Sequence, residues 1–467
     1  MTQNRLLKNI SANTLQLIIN QVFGLLIFYV LSKGLEKAQF GELNWALAVL
    51  LTAFALMTFG IDQLLVKKIA AGDERQPVFA AYLFHVVISG GLFYCLLIAC
   101  YFLFPAFFHE KNFLLFVGVG KLFIYFSTAF KQVATGLEKF TALLYMSVVS
   151  NIIRGVGLLI LYLTGNMSVT NVLIIFIAGD VIEFIVCVVI AWPLLQPPLK
   201  IRWNKELHLN LFKEALPQAG VVLFTGIMAR FDWILIGLFS TSVKLAEYSF
   251  AWKMFEVSTL PLLIIAPLMI PMFTRILKQK VNATVPSFFL EWQIITASFI
   301  ALLLNLVWVP LIDLITDGRY GAVNRDVVFI LSLAMPLLYF NNYLWTINFA
   351  QGKLKRIFFI MGISFLVNII ACSILIPMFG NEGAAVANLA GFLLQTILYA
   401  GKSDIKMERQ WTLALWPLIA FACGMSGKYL PAGNQFLLLP ALVFVLAVII
   451  SRQFKKKDWK ELQGLYS

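Results

Sequence analysis

The chain has 467 residues, of which 61% are hydrophobic and only 13% are charged. Soluble domains are nearer one-half apolar and one-quarter charged, so the composition excludes a soluble protein and predicts a polytopic membrane protein. The net charge of +13 does not indicate nucleic acid as a partner, because the lysines and arginines lie in short segments between apolar spans.

Apolar spans of about 20 residues, the length that crosses a bilayer, recur along the chain. They predict an all-α protein with fourteen transmembrane helices, at 10–32, 42–65, 78–104, 113–134, 141–164, 169–195, 214–239, 246–274, 285–313, 326–350, 356–378, 383–401, 410–428 and 435–452. Most basic residues fall in the loops on the side of the N-terminus, which by the positive-inside rule places both termini in the cytoplasm.

The chain is also internally duplicated. Glu42 matches Glu247 and Pro105 matches Pro310 at an offset of 205, and the offset later grows to about 217, where the run NII at 151–153 matches that at 368–370. Each repeat contains six predicted helices. An even number of helices gives both repeats the same orientation, related by an axis along the membrane normal. The predicted organisation is an N-terminal lobe at 1–196, a cytoplasmic interfacial linker at 197–213, a C-terminal lobe at 214–402, and two extra helices with a basic tail at 403–467.

Residues 226–280 are almost continuously apolar, yet four charged residues lie inside their spans: Arg230, Asp232, Lys253 and Glu256. A charge in hydrocarbon costs several kcal/mol unless it is paired or faces water, so these residues are functional candidates. The two helices therefore resemble the wall of a polar cavity. Alternatively, Lys253 and Glu256, one turn apart, pair with each other.

Further charges lie within the predicted first lobe. Lys121 and Arg154 are basic residues inside apolar spans, and Asp180 and Glu183 share one face of the sixth helix. Like charges on one face repel, so we expect one of the two acids to be protonated near neutral pH unless a cation such as Arg154 is near. Structural charge balance is the alternative for each acid.

Buried amides form two further candidate groups. In the first helix Asn13, Gln16 and Asn20 share one face, and in the tenth helix Asn341 and Asn348 share a face with Trp345. Amides beside an aromatic ring suit a sugar, whose hydroxyls need directional partners. The alternative for each amide is a hydrogen bond between packed helices.

Enzyme signatures are missing from the sequence. It contains no nucleotide-binding Gly-rich loop, its histidines are scattered, and no cofactor or metal site is predicted. A membrane polymerase or ligase of polysaccharide assembly would need a sizeable outside loop, and only residues 313–326 come close.

A family resemblance emerges from the charged stretch. Residues 230–237 read RFDWILIG, residues 248–256 follow the pattern YSxAxKxxE, and prolines stand at 261, 267 and 271. This resembles helices seven and eight of polysaccharide-transporter flippases, the Wzx-type O-antigen branch of the multidrug/oligosaccharidyl-lipid/polysaccharide exporter superfamily. The sequence FGE at 40–42 is also similar, and the resemblance covers about the first 400 residues.

The resemblance implies a V-shaped protein with a central cavity that flips undecaprenyl-pyrophosphate-linked oligosaccharides across a bacterial inner membrane by alternating access. It implies that Arg154, Arg230 and Lys253 are cavity cations, with Lys121 a weaker candidate. Asp232 and Glu256 would tune or couple transport. The sequence departs from some relatives in lacking a basic residue within the first helix.

The expected partners are the lipid-linked oligosaccharide, a coupling ion (H⁺ or Na⁺), membrane lipids and the polysaccharide polymerase machinery; a nucleic acid is not expected. An ion-coupled drug or cation exporter of the same superfamily is the main alternative, and its cavity should be dominated by acids and aromatics.

Overall fold

The computed structural model describes residues 3–72, 74–198, 205–228, 230–279, 288–401, 410–429 and 438–451. These residues form seventeen α-helices and one short 3₁₀ helix, and no strand occurs among them. The helices are α1 Gln3–Gly34, α2 Lys37–Met57, α3 Ile61–Ala71, α4 Arg75–Leu103, α5 Pro105–Glu110, α6 Phe113–Gly136, α7 Phe140–Leu163, α8 Val169–Leu194, α9 Lys205–Met228, α10 Phe231–Phe239, α11 Ser242–Ser258, α12 Leu260–Gln279, α13 Phe288–Thr316, α14 Arg325–Ala350, α15 Leu354–Ala400, α16 Gln410–Tyr429 and α17 Leu439–Ile450.

The predicted all-α membrane architecture is confirmed. Eight of the described helical segments are long and apolar enough to cross a membrane, and three shorter apolar helices accompany them. Each predicted span coincides with helix over most of its described length. Fourteen crossings remain a prediction.

Three predicted spans are divided into two helices. The span at 42–65 breaks between α2 and α3, where Phe59 and Gly60 take positive φ values of 52° and 73°. The span at 246–274 breaks between Ser258 and Leu260, next to the first of its prolines. The span at 214–239 is likewise divided between α9 and α10.

The long helix α15 is a hairpin of two antiparallel arms. Its backbone leaves the helical region at Gly380, with φ 58° and ψ −128°. The Arg356 side chain donates to the Tyr399 carbonyl at 3.0 Å, and Asn368 donates to the Ala387 carbonyl at 3.2 Å, so the arms run back along each other. The arms correspond to the predicted spans 356–378 and 383–401.

The chain forms two compact units. The first comprises Met1–Gly237 and Thr241–Ala246, and the second comprises Leu238–Ser240 and Glu247–Ser467. In the second unit α16 and α17 contribute to the core, because Trp416 and Phe444 pack in one cluster with Leu302 of α13. The lobe boundaries derived from the sequence repeat stay a prediction.

Candidate functional site: an ionic cluster in the first unit

The buried stripe of α8 carries both of its acids. Along this stripe the buried residues recur at helical spacing, as Val172, Phe176, Asp180, Glu183 and Cys187. Apart from its acids α8 is almost wholly apolar, and it packs against α6 and α7. A charge that faces lipid is costly, so the two acids mark the face that points inward. The two carboxylates are therefore held between three packed helices.

Asp180 lies between two cations from different helices. The Lys121 Nζ of α6 lies 2.7 Å from its Oδ2, and a terminal nitrogen of the Arg154 guanidinium of α7 lies 3.0 Å from its Oδ1. Only 1% of the Asp180 side chain is exposed, against 6% of Lys121 and 13% of Arg154. All three residues lie in the middle third of candidate membrane spans.

Small and aromatic neighbours shape this triad. Phe176 presents its ring to both cations, with centroid distances of 5.8 Å to Lys121 Nζ and 5.5 Å to Arg154 Cζ. A Cβ at Gly120 would lie 2.7 Å from the Asp180 Oδ2, and one at Gly179 would lie 3.1 Å from Arg154 Cγ. The two glycines therefore allow the charged groups to approach the helix backbones closely.

A second layer surrounds Glu183. Its two carboxylate oxygens are bound by Lys131 of α6 and by the hydroxyl of Ser150 of α7. Lys131 was not among the site residues predicted from the sequence. The signal that could have found it is the predicted span 113–134, which already contained this residue.

We call Lys121, Lys131, Ser150, Arg154, Asp180 and Glu183 the ionic cluster. It contains three cations against two carboxylates, and each carboxylate has a cation beside it. The expectation that one acid is protonated depended on uncompensated repulsion between them, and this arrangement removes that reason. Arg154, the cation named as the exception to that expectation, lies beside Asp180.

The other charged candidates lie elsewhere. In the first unit the Arg230 guanidinium lies 4.6 Å from the Trp233 ring centroid, and the buried Asp232 accepts the Trp233 backbone N–H at 2.9 Å. In the second unit Lys253 Nζ lies 3.3 Å from Glu256 Oε2, within one turn of α11. The pairing of Lys253 with Glu256, one of the two sequence interpretations, is therefore present.

One of the three candidate amides of α1 bonds to another helix. Asn20 accepts a hydrogen bond from the Asn151 side chain of α7 at 2.9 Å. Gln16 Oε1 is buried and has no hydrogen-bond partner in the described part of the chain. The side chain of Asn13 lies outside the described residues.

The amides of α14 bond to α15 and within their own helix. Asn341 donates to the Phe392 carbonyl at 2.9 Å and accepts from Thr396 at 2.8 Å, both on α15. Asn348 donates to the Leu344 carbonyl of its own helix at 2.7 Å, and Trp345 stacks on Phe349. For Asn341 the structure agrees with the alternative of hydrogen bonding between packed helices.

The loop at 313–326, which was considered for a polymerase, is held by hydrogen bonds within itself. Asp313 accepts the backbone N–H groups of Gly321 and Ala322 at 2.7 and 3.0 Å. Tyr320 stacks on Phe250 with centroids 4.4 Å apart, and burial raises the pKa of its hydroxyl to about 12. Among the described residues, no group of three or more His, Cys, Asp and Glu could hold a metal ion.

Comparison with known proteins agrees with this architecture. The sequence profile of a family described as "Polysaccharide biosynthesis protein" matches residues 6–277, more than half of the chain. No curated protein matches the chain in sequence.

Solved structures share the fold at low identity. The lipid II flippase MurJ in an inward closed conformation has a TM-score of 0.72 and 15% identity, over 94% of this chain and 97% of that chain. An inward-facing multidrug resistance MATE family transporter of the MOP superfamily has a TM-score of 0.66 and 13% identity, over 89% and 99%. A MOP superfamily transporter from Pyrococcus furiosus has a TM-score of 0.59 and 11% identity, over 91% and 96%. The chain thus shares the fold of these transporters and is a multi-pass membrane protein.

Proposed function

Because the chain belongs to the polysaccharide biosynthesis protein family, we propose that it is a flippase for undecaprenyl-pyrophosphate-linked oligosaccharide repeat units. It moves them from the cytoplasmic to the periplasmic leaflet of a bacterial inner membrane, as in the Wzx-type O-antigen branch. The observation that carries this proposal is the buried Lys121–Asp180–Arg154 triad in the middle of three candidate spans.

The substrate's diphosphate is the part that cannot cross hydrocarbon unaided, because a desolvated charge is costly. Lys121 and Arg154 offer replacement for its lost hydration: the guanidinium fork matches two phosphate oxygens and the ammonium acts as a point charge. The polyprenyl tail stays in the bilayer during the transfer. Arg230 and Lys253 are further cations proposed to contact the diphosphate.

An ion gradient drives the alternating-access cycle in this proposal, since the sequence contains no nucleotide-binding loop. The acids proposed to couple ion movement to transport are Asp180, Glu183, Asp232 and Glu256. Of these, Asp180 and Glu183 are tied directly to the candidate substrate cations.

The cation-exporter alternative is less well supported by the cluster. A cationic substrate needs a carboxylate that no protein cation already neutralises. In the ionic cluster both carboxylates have cationic partners, and positive charge is in excess.

The substrate class is tested in proteoliposomes. We expect the purified protein to flip an undecaprenyl-diphosphate-linked oligosaccharide whose sugar carries a fluorophore, measured by loss of fluorescence to an external quencher. A lipid monophosphate sugar and a cationic dye serve as matched comparison substrates. Transport of the dye with no flipping of the lipid-linked sugar would establish the exporter instead.

The orientation is tested by reporter fusions. Fusions after Lys111 and Gly318 should report the periplasm, and fusions after Gly72 and Lys205 should report the cytoplasm. Two or more opposite results would contradict the proposed number of crossings or the proposed orientation in the membrane.

A further inference from the structure

We propose that the Asp180 carboxylate is a resident anion: it fills the position that a phosphate of the substrate takes between Lys121 and Arg154, and the substrate binds by displacing it. This inference rests on the proposed function, because it assigns the diphosphate of that substrate to one pair of cations. It makes Asp180 a competitor of the substrate and not one of its ligands.

The geometry of the triad is that of an occupied anion site. Two cations from two helices approach the two oxygens of one carboxylate, at 2.7 and 3.0 Å. The Lys121 contact is a hydrogen bond, whereas the Arg154 contact is an ion pair without hydrogen-bond geometry, because the buried Asp180 Oδ1 accepts no hydrogen bond among the described residues. Lysine and arginine are the cations with which proteins bind a phosphate group. A carboxylate and a phosphate are interchangeable here because each presents separate oxygens to the two cations.

The carboxylate leaves part of the donor capacity unused. The Nε of Arg154 is buried and has no hydrogen-bond partner in the part of the chain that the structure describes. Arg154 also keeps 13% of its side chain exposed, so the triad is not sealed. A diphosphate, with more oxygens than a carboxylate, can occupy donors that Asp180 leaves unpaired.

Gly120 lets the Asp180 carboxylate lie directly against the backbone of α6. A Cβ there would lie 2.7 Å from the Asp180 Oδ2, so a larger residue could not occupy this position without displacing the anion. Phe176 flanks both cations with its ring and offers no competing acceptor. The anion is therefore flanked by two groups that add no further carboxylate to compete for the cations.

Glu183 does not qualify for the same role. Its oxygens are bound by one lysine, Lys131, and by the neutral Ser150 hydroxyl. Displacing this carboxylate would free only one cation, whereas displacing Asp180 frees two. Of the two acids of α8, Asp180 is therefore the one that fits the role of a resident anion.

The consequence is a built-in limit on affinity. Two desolvated cations without a counter-charge would bind any phosphate compound tightly, including those dissolved in the cytoplasm. With Asp180 present, an incoming anion gains only the difference between its own contacts and those of the carboxylate. Return of the carboxylate then favours release after transfer.

The test measures binding of inorganic pyrophosphate to the full chain in nanodiscs, by equilibrium dialysis with radiolabelled pyrophosphate. Asp180→Asn should bind it about 10-fold more tightly than the wild type, since one competing charge pair is removed. Arg154→Gln should weaken binding. Glu214→Gln is the matched control, because it removes another carboxylate paired with a lysine, Lys68, at 2.9 Å on a half-exposed site.

Unchanged or weaker binding by Asp180→Asn would overturn the resident-anion proposal. If that variant yields little folded protein, pyrophosphate added during purification should restore the yield, and failure to do so counts against the proposal equally. Flipping of the lipid-linked sugar by the wild type, measured separately, distinguishes the two proposals. Normal flipping with no gain in Asp180→Asn refutes only the resident anion, whereas tighter pyrophosphate binding without flipping refutes only the proposed function.

Discussion

Two buried polar regions of this protein are built from different chemistry. In the first unit the ionic cluster joins α6, α7 and α8 through charged groups. In the second unit two groups of neutral side chains, together called the amide network, take the place of ions. Asn341, Gln395 and Thr396 join α14 to α15, and Asn368 and Asn388 join the two arms of α15. Neutral amides satisfy buried backbone carbonyls at low desolvation cost. Buried ions need charged partners, and a charged substrate can take the place of such a partner.

The sequence repeat makes this contrast sharper. Asn151 and Asn368 occupy matching positions in the runs NII at 151–153 and 368–370. Both bond across helices, Asn151 to Asn20 and Asn368 to the Ala387 carbonyl. Three residues further on, however, the first repeat has Arg154 and the second has Ala371. Amides that bond between helices are thus found in both predicted repeats, whereas a cation at this position, Arg154, is found in the first repeat and not in the second.

The largest expected effect on stability comes from breaking the second layer of the ionic cluster. Glu183→Gln leaves Lys131 without its carboxylate and should lower the free energy of unfolding by about 3 kcal/mol. The measurement is an SDS titration in mixed micelles. Neutralising both partners, as Lys131→Met with Glu183→Gln, should recover most of the loss; no recovery would show that the pair does not act as a unit.

A smaller effect is expected in the amide network. Asn341→Ala removes its bonds to Phe392 and Thr396 and should lower the unfolding free energy by about 1 kcal/mol. Flipping of the lipid-linked sugar should stay near the wild-type rate, because the Asn341 amide is already hydrogen-bonded to Phe392 and Thr396 of α15. Loss of flipping in a folded Asn341→Ala protein would return this residue to the substrate site.

The smallest effect is expected at an exposed pair. Glu214→Gln breaks its contact with Lys68, but half of the Glu214 side chain is exposed. The expected loss is below about 1 kcal/mol, and flipping should be unchanged. A loss as large as that of Glu183→Gln would mean that burial does not distinguish the two sites.

Much of the fold could be predicted from hydropathy alone. The predicted spans coincide with helices because a segment in a bilayer must satisfy its backbone N–H and C=O groups by hydrogen bonds within itself. The break at Phe59 and Gly60 was not predicted, since two positive-φ residues inside an apolar run leave no hydropathy signal. The hairpin of α15 was predicted as two spans, with the turn now placed at Gly380.

The site was predicted less completely. Periodicity placed Asp180 and Glu183 on one face, and apolar surroundings marked Lys121 and Arg154. The partners of the acids could not be read from one sequence, because Lys131 and Ser150 meet Glu183 only through helix packing. For Asn341 the sequence pattern, an amide near an aromatic residue on one helix face, favoured a sugar contact. In the structure the amide bonds to α15, which one sequence could not reveal.

The central claim is that the Lys121–Arg154 pair carries the diphosphate. The most direct measurement is the flipping rate of a fluorescent undecaprenyl-diphosphate-linked oligosaccharide in proteoliposomes containing equal amounts of wild type, Arg154→Gln, Arg154→Lys or Glu214→Gln. The account predicts a loss of about 100-fold for Arg154→Gln, partial activity for Arg154→Lys and full activity for Glu214→Gln. A folded Arg154→Gln protein that flips the substrate at the wild-type rate would contradict the account.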